Sequence, residues 1–243
     1  MKERLDILLV EKGMVSSREK ARALIMEGNV LVNGMLVTKA GSLVNSDALI
    51  ELKGEEVPYV SRGGLKLEAA LHHFGINLTG LIAMDVGSST GGFTDCMLQK
   101  GVRKVYCIDV GYGQLAWSLR NDPRVVLLER TNIRYLEKER IHDMINVATI
   151  DVSFISLKNV LPKVMDFVRK GGEILALVKP QFEVGKGEVG KGGIVREEEK
   201  RVAAVDSIRE FAEGLGFRTG GVFQSPVLGQ KGNHEYFLHL RRP

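Results

Sequence analysis

Four charged residues of this 243-residue chain lie where predicted helices and strands begin or end: Lys66, Asp151, Lys179 and Glu235. Amines and carboxylates that share one site can remove or share the proton of a weak acid such as a hydroxyl group. Lys179 closes an apolar strand, where a lysine needs a partner or solvent. Taken alone, Lys66 is typical of a solvated helix and Glu235 of a strand edge. The chemistry therefore depends on whether the four side chains meet.

A repeated alternation of apolar strands and amphipathic helices must position these residues. Strands are predicted at 81–87, 104–110, 125–130, 147–154 and 173–179. Continuous apolar runs separated by helical patterns indicate a parallel sheet with helices on both faces. A long helix at 197–216 follows, and then two more strands at 219–227 and 234–242, which predict an antiparallel hairpin at the edge of the sheet. The predicted fold class is therefore α/β.

A glycine-rich loop follows the first of these strands in the stretch DVGSSTGGF (85–93). Ligands of open α/β sheets bind at the carboxyl ends of the strands, and glycines before a helix N-terminus favour a phosphate or carboxylate. Asp109 ends the second strand and is placed to accept hydrogen bonds from ribose hydroxyls. Asn132 either approaches an adenine or caps a turn. A nucleoside-bearing cofactor is implied, and its predicted contacts are Asp85, Gly87, Ser88, Thr90, Gly91, Gly92, Phe93, Asp109, Asn132 and Asp151.

The same loop indicates which cofactor is bound. It lacks the Gly-x-Gly-x-x-Gly pattern of nicotinamide enzymes, and no Walker lysine follows it. An acid two residues before the first glycine, an acid at the end of the second strand and a C-terminal hairpin together resemble the S-adenosylmethionine-dependent methyltransferases. The resemblance implies a Rossmann-like class I fold, with a mostly parallel seven-stranded sheet, and S-adenosylmethionine as the cofactor.

The residues after the fourth strand, TIDVSF (149–154), bear on the atom that would be methylated. Enzymes that methylate a base nitrogen usually have an Asp-Pro-Pro or Asn-Pro-Pro turn there, whereas Val152 and Ser153 occupy the proline positions. Methylation of a pyrimidine carbon needs a cysteine near the fourth or fifth strand. Cys96 and Cys107 lie in the first helix and second strand, where buried structural roles are expected. Methylation of an oxygen is the better class.

Residues 1–57 carry a separate pattern of two helices followed by a hairpin at Asn33-Gly34, the strongest short hairpin signal. Charge alone does not predict RNA binding here, because residues 1–60 contain eight Lys and Arg against nine Asp and Glu. The stretch RLDILLVEKGMVSSREKARALIMEGNVLVNG closely resembles the RNA-binding module first known from ribosomal small-subunit protein four. The resemblance implies a small α+β module. The expected RNA contacts are Arg4, Ser17, Arg18, Lys20, Arg22, Asn33 and, beyond the module, Arg62. For Arg62 the cofactor carboxylate is an equally open alternative to an RNA phosphate.

The chain as a whole is expected to have three segments: the RNA-binding module at 1–57, a linker at 58–64 and a methyltransferase domain at 65–243. The net charge of +4 and the pI near 9.0 fit a polyanionic partner. A charged N-terminus and the lack of a long apolar run predict a cytoplasmic protein with no membrane contact. Scattered histidines and two cysteines predict no metal site. The glycine-rich stretch 183–193 fits either a lid over substrate or a plain disordered loop.

The stretches SRGGLKL, DVSF, VKPQFE and GNHEYF resemble those that carry the catalytic tetrad of the FtsJ-like ribose methyltransferases. Together with the N-terminal module, they identify the chain as a member of the TlyA/hemolysin A family. Membership implies a ribosomal RNA methyltransferase that acts on the ribose 2′-hydroxyl of cytidine, with ribosomal RNA or ribosomal subunits as its partner. Lys66, Asp151, Lys179 and Glu235 would be the catalytic residues. Two alternatives stay open: a membrane-active, hemolysin-like protein and a catalytically inactive RNA-binding protein.

Overall fold

The computed structural model describes residues 2–15, 17–26, 28–52, 57–185, 187–190 and 192–243. It contains two compact units, Met1–Ser61 and Arg62–Pro243. The division falls within the predicted linker, 58–64, and the last two residues of that linker belong to a helix of the second unit.

The first unit is a small α+β module. Its helices are α1 (Leu5–Glu11) and α2 (Arg18–Met26), and its strands are β1 (Lys2–Arg4), β2 (Val30–Val32), β3 (Met35–Leu36), β4 (Leu43–Asn45) and β5 (Ile50–Leu52). Strands β2 and β3 form the predicted hairpin, in which Asn33 and Gly34 have φ angles of 50° and 76°, as a tight two-residue turn requires. Strand β5 pairs with β2, and β1 pairs with β4. The sequence does not predict β1, β4 or β5, because three residues are too few to show an alternating pattern.

Apolar side chains at helical spacing hold this module together. The residues on the inner faces of the helices and on β2 are buried: Leu5, Leu8, Leu9, Ala21, Ile25, Val30 and Val32. Spacings of three and four residues place such side chains on one face of a helix. The module therefore has a hydrophobic core of its own.

The second unit is built on a seven-stranded sheet with the order β11-β12-β10-β9-β6-β7-β8. Its strands are β6 (Ile82–Val86), β7 (Lys104–Ile108), β8 (Val125–Leu128), β9 (Ile145–Ile150), β10 (Val168–Val178), β11 (Arg218–Gln224) and β12 (Tyr236–Arg241). Strands β6 to β10 are parallel, whereas β12 is antiparallel to both β10 and β11. The predicted α/β class, the mostly parallel sheet and the C-terminal antiparallel hairpin are confirmed.

Helices connect these strands. They are α3 (Gly63–Phe74), α4 (Gly92–Gln99), α5 (Trp117–Arg120), α6 (Leu161–Phe167), α7 (Pro180–Glu183) and α8 (Glu198–Gly214). Helix α3 buries Leu67, Ala70 and Leu71 on one face and ends at Gly75, whose φ of 65° is the left-handed conformation that closes many helices. Among the described helices, none is long and apolar enough to cross a membrane.

The strand register brings several chain segments to one edge of the sheet. Val86 of β6 pairs with Ile108 of β7 and with Ile150 of β9, so these strands end at the same level. Val178, the last residue of β10, pairs with Tyr236, the first residue of β12. One edge of the sheet, at the carboxyl ends of its parallel strands, therefore brings together the residues that follow β6, β7, β9 and β10 and those that precede β12.

Candidate active site

Lys179 and Asp151 form an ion pair at this edge. The distance from Lys179 Nζ to Asp151 Oδ1 is 2.6 Å, and the contact is electrostatic rather than an aligned hydrogen bond. The same Nζ donates a hydrogen bond to Ser153 Oγ at 2.9 Å. Both members of the pair are mostly shielded from solvent, which strengthens their attraction. The ammonium of Lys179 is therefore held at a fixed position by the chain that follows β9.

Lys66 and Glu235 form a second ion pair. Lys66 Nζ donates a hydrogen bond to Glu235 Oε2 at 2.7 Å, and the Glu235 side chain is only 3% exposed. A carboxylate buried to this extent needs a compensating partner, which the ammonium of Lys66 supplies. A Cβ atom at Gly229 would lie 2.0 Å from Glu235 Oε1, so glycine at 229 leaves the room that this carboxylate occupies.

The two pairs lie at the same sheet edge. Asp151 follows β9, Lys179 follows β10 and Glu235 precedes β12, and these three strands are adjacent in the sheet. Because Val178 pairs with Tyr236, Lys179 and Glu235 occupy the next position of that register. The sequence left open whether Lys66 reaches this edge. Its hydrogen bond to Glu235 shows that it does.

The glycine loop after β6 fits closely against this edge. Gly87 has a φ of 85°, and a Cβ atom there would lie 2.4 Å from the carbonyl oxygen of Asp151. Gly91 has a φ of 97°, and a Cβ atom there would lie 2.3 Å from the side chain of Leu119. Gly92 begins α4. The left-handed conformation favours glycine at both positions, and at Gly87 the contact with backbone also leaves no space for a side chain.

Asp85 is buried beneath the loop rather than open at its surface. Its carboxylate accepts hydrogen bonds from Thr94 Oγ1 at 2.6 Å and from Thr149 Oγ1 at 3.0 Å. Burial raises the pKa of Asp85 to about 6, against the opposing effect of these two hydrogen bonds. Asp85 thus connects β6 to α4 and β9. Cys107, whose Sγ lies 3.1 Å from Thr94 Oγ1, is buried, as is Cys96.

The remaining predicted cofactor contacts differ in how exposed they are. Asp109 follows β7, and its carboxylate accepts hydrogen bonds from the backbone amides of Ser89 at 2.7 Å and Gly111 at 2.6 Å. The hydroxyl of Ser88 is buried and has no hydrogen-bond partner among the described residues. Thr90 is exposed in the same loop.

Two predicted cofactor contacts have structural roles in the described chain. The ring of Phe93 is buried and stacks on Phe237, with ring centroids 5.9 Å apart. Asn132 Oδ1 accepts a hydrogen bond from the backbone amide of Arg134 at 3.1 Å, which caps a short 3-10 turn (Ile133–Tyr135). Of the two roles predicted for Asn132, contact with an adenine or capping of a turn, this hydrogen bond corresponds to the second.

Comparisons with known proteins show the family to which the chain belongs. Residues 59–242 match the family model for the FtsJ-like methyltransferases, and residues 3–50 match the S4 domain. A Bacillus subtilis (strain 168) protein provisionally named as rRNA methyltransferase YqxC is 48% identical over 243 residues, which are 100% of this chain and 86% of that protein. The 16S/23S rRNA (cytidine-2'-O)-methyltransferase TlyA of Mycobacterium tuberculosis (strain ATCC 25618 / H37Rv) is 46% identical over 98% of this chain and 89% of that protein.

A solved structure from Streptococcus thermophilus, provisionally described as a hemolysin, has 43% sequence identity and a TM-score of 0.79, and the match covers 99% of this chain and 88% of that one. The chain belongs to the TlyA/hemolysin A family of FtsJ-like methyltransferases. The resemblance seen in the sequence is thereby confirmed over nearly the whole length of the chain.

Two phenylalanines, Phe154 and Phe182, also lie at the site, and the sequence analysis predicted no role for them. Phe154 has a φ of 64° and is 87% exposed, a conformation and an exposure that are both unfavourable for phenylalanine. Its ring lies 5.0 Å from that of Phe182. The sequence contains a spacing that could have indicated these residues, because each phenylalanine comes three residues after a member of the ion pair, Asp151 or Lys179.

The predicted RNA contacts of the S4 domain include two arginines held by one buried carboxylate. Arg4 Nε and Arg18 Nε each donate to Asp6, at 2.9 Å, and both arginine side chains are about half exposed. The hydrogen bond from Arg4, together with that from Arg18, lowers the pKa of Asp6 to about 2 against the effect of burial. The exposed parts of the two guanidinium groups thus have a fixed orientation.

The other predicted RNA contacts of this methyltransferase are more varied. Ser17 Oγ accepts a hydrogen bond from the Lys20 backbone amide at 3.2 Å, which caps α2. Asn33 Oδ1 accepts a hydrogen bond from the Leu49 amide at 3.0 Å. Arg22 is exposed on α2, and Arg62 is exposed at the start of α3. Among the described residues, no group of three or more His, Cys, Asp or Glu side chains could hold a metal ion.

Proposed function

We propose that this protein transfers a methyl group from S-adenosylmethionine to the ribose 2′-hydroxyl of a cytidine in ribosomal RNA. The observation that carries the proposal is the Lys179 to Asp151 ion pair of 2.6 Å, which lies against the glycine loop at Gly87. Relatives named as rRNA cytidine-2'-O-methyltransferases share 46% identity over nearly the full chain and support the choice of substrate. Ribosomal RNA as substrate also supports the predicted cytoplasmic location.

The residues present suit S-adenosylmethionine. Gly87 and Gly91 allow the loop backbone to approach a ligand, and the unpartnered hydroxyl of Ser88 can bond to one. The loop from Gly87 to Gly92 and the N-terminus of α4 would hold the methionine part of the cofactor. Asp109 retains lone pairs for ribose hydroxyls, because a carboxylate has about four acceptor sites. When bound, the cofactor supplies an electrophilic methyl group.

Lys179 is the proposed principal base or oxyanion stabiliser. A ribose hydroxyl is a weak acid, so the site must take its proton or stabilise the charge that develops on its oxygen. An ammonium has three donor directions. Ser153 accepts a hydrogen bond from Lys179 Nζ and Asp151 attracts the ammonium at 2.6 Å, which leaves a donor direction for a substrate oxygen.

The Lys66 to Glu235 pair would complete the catalytic tetrad. It adds a second ammonium at the same sheet edge, where a positive charge favours the ionised form of the hydroxyl. Glu235 keeps Lys66 in place. We assign Asp151, Lys66 and Glu235 to the orientation of Lys179 and of the hydroxyl. The four paired residues argue against a catalytically inactive RNA-binding protein.

The surroundings of the tetrad suit a nucleotide substrate. The exposed ring of Phe154, beside Phe182, offers an apolar face on which an unstacked base can lie. The S4 domain supplies exposed cations, among them Arg4 and Arg18, for the phosphates of folded ribosomal RNA. Ribosomal RNA, free or within a subunit, is the proposed partner.

The proposal is tested by separating cofactor binding from methyl transfer. The Lys179→Ala variant should bind S-adenosylmethionine with unchanged affinity in calorimetry, whereas its rate of methyl transfer to unmodified ribosomal subunits should fall on the order of 100-fold or more. The matched control is Lys104→Ala, which removes a lysine paired with Asp143 at 2.6 Å at the opposite edge of the sheet and should leave the rate unchanged. Unchanged turnover by Lys179→Ala would remove the tetrad assignment.

A further inference from the structure

Two chain segments present the Lys179 to Asp151 pair. The β9 segment (151–157) follows β9, and the β10 segment (179–183) consists of Lys179 and helix α7. Helix α7 has only four residues, and so short a helix is not stable by itself. Strand β10 holds the backbone before Lys179, and side-chain contacts between the two segments hold the chain after it.

Glu183, at the end of α7, uses both carboxylate oxygens for such contacts. Its Oε2 accepts a hydrogen bond from Ser156 Oγ at 2.6 Å, and its Oε1 accepts one from the backbone amide of Leu157 at 2.9 Å. Ser156 in turn caps the 3-10 turn that begins at Leu157, because its Oγ accepts from the Lys158 amide at 3.2 Å. Glu183 is thus fastened to the start of an ordered turn in the β9 segment.

The burial of this carboxylate has an energetic cost that its contacts reduce in part. Burial raises the pKa of Glu183, and the hydrogen bonds from Ser156 and Leu157 oppose that rise, as does the charge of Lys158. A partly buried carboxylate with both oxygens engaged holds its partners more tightly than a neutral acceptor does. Its bonds to the β9 segment are therefore strong ones.

We propose that Glu183 is a positioning residue that holds Lys179 at its reacting distance from Asp151. The inference rests on the proposed methyltransferase function and adds a residue to it. Lys179 and Glu183 lie at the two ends of the β10 segment, and both are bonded to the β9 segment. The contact between the rings of Phe154 and Phe182 lies between these two attachments. A substrate hydroxyl that binds Lys179 Nζ would weaken the contact of Lys179 with Ser153 and Asp151. The contact of Glu183 with Ser156 and Leu157 would still hold the two segments together.

The test uses full-length Glu183→Ala and Glu183→Gln proteins. Methyl transfer from S-adenosylmethionine to unmodified ribosomal subunits gives kcat and the KM for each substrate, and the melting temperature reports on folding. Glu183→Ala should lower kcat on the order of 10- to 100-fold, since small misplacements of catalytic groups have effects of this size. Both KM values should stay within about twofold, because Ser156 and Leu157 already engage both carboxylate oxygens of Glu183.

Glu183→Gln should recover part of the lost kcat, because the amide oxygen can still accept from Leu157 and the amide nitrogen can donate to Ser156 Oγ. The matched control is Glu173→Gln in the middle of β10, where the carboxylate accepts a hydrogen bond from Arg241 at 2.6 Å. Its kcat should equal that of the wild type. If Glu183→Ala does not fold, Glu183→Gln and Ser156→Ala decide the question through the same kcat measurement.

Three outcomes would overturn the positioning role: an unchanged kcat in the variants, a loss confined to KM, or an equal loss in Glu173→Gln. A wild-type protein without methyl transfer would contradict the proposed function instead. Active wild type with fully active Glu183 variants contradicts only the positioning role.

Discussion

Two buried carboxylates in this protein show how the contacts of a residue set its pKa. Asp6 contacts two guanidinium groups, and its pKa falls to about 2. Asp85 accepts hydrogen bonds from the hydroxyl groups of Thr94 and Thr149, and burial raises its pKa to about 6. Hydroxyl groups do not offset the desolvation of a carboxylate as a cation does. Asp85 is therefore a carboxylate whose ionisation destabilises the folded state.

The Asp85→Asn variant should show this destabilisation as a pH dependence. Because the folded pKa of about 6 lies above the unfolded value of 3.8, the wild type loses stability as pH rises from 4 to 6. The rise of the pKa from 3.8 to about 6 corresponds to about 3 kcal/mol in the free energy of unfolding. The free energy of unfolding of Asp85→Asn, minus that of the wild type, should therefore increase by about this amount between pH 4 and pH 7.

Urea unfolding followed by the fluorescence of Trp117, the single tryptophan, measures the stability of the second unit. A difference that stays constant with pH would show that Asp85 titrates normally. Asp6→Asn gives the opposite sign: the Asp6 contribution is present above pH 4 and is lost as pH falls towards 2, because the folded pKa lies below the unfolded one. Its effect would be followed in the first unit by circular dichroism.

At the scale of helices and strands, the sequence predicts the sheet well because buried parallel strands are continuous apolar runs. Strand β10 is the main difference: it begins at Val168 rather than near residue 173. The stretch RKGG within it has the composition of a turn, and the ladder to β9 is interrupted between Val168 and Glu173. Patterns of hydrophobicity do not reveal such an irregular strand.

The candidate site was predictable in its location but not in its pairing. Strand ends place Asp151, Lys179 and Glu235 at one edge, and the sequence shows where the strands end. Which lysine contacts which carboxylate depends on side-chain directions, and Lys66 gave no local signal that it would reach Glu235. The left-handed conformation of Phe154 has no sequence signal either, since phenylalanine rarely adopts it.

The glycine loop leads to a prediction at this scale. Gly80 and Gly87 flank β6 and have similar φ angles, 73° and 85°. A Cβ atom at Gly80 would have no described atom within 4 Å, whereas one at Gly87 would lie 2.4 Å from the carbonyl oxygen of Asp151. Gly80→Ala should therefore cost about 1–2 kcal/mol of stability from the left-handed conformation alone and should keep full activity.

Gly87→Ala carries the same conformational cost and in addition must displace the backbone of Asp151. We expect weaker binding of S-adenosylmethionine and a loss of kcat larger than its loss of stability explains. Calorimetry, melting temperatures and methyl-transfer rates on the two variants provide the comparison. Equal behaviour of the two variants would mean that the contact between the loop and Asp151 is unimportant for the reaction.

The molecule as a whole consists of two units, each with a hydrophobic core of its own. Because the cores are separate, removal of residues 1–57 should leave the second unit folded and able to bind S-adenosylmethionine. RNA affinity should fall, and the dependence of binding on salt should become shallower by about 0.7–0.9 in the log–log slope for each phosphate that the S4 domain neutralises in the intact protein. Filter binding of ribosomal RNA over a range of salt concentrations measures both quantities. An unchanged affinity and slope would mean that the S4 domain does not dock the RNA.

The central claim concerns the position of the transferred methyl group. A 2′-O-methyl group removes the nucleophile that cleaves RNA in alkali, so the adjacent phosphodiester bond survives alkaline hydrolysis. Incubation of the protein with S-adenosylmethionine labelled in the methyl group and unmodified ribosomal subunits, followed by alkaline hydrolysis of the RNA, tests the claim directly. We predict that the label is recovered in alkali-stable dinucleotides whose first nucleoside is cytidine. Label recovered in mononucleotides, as base methylation would give, or on ribosomal protein would contradict it.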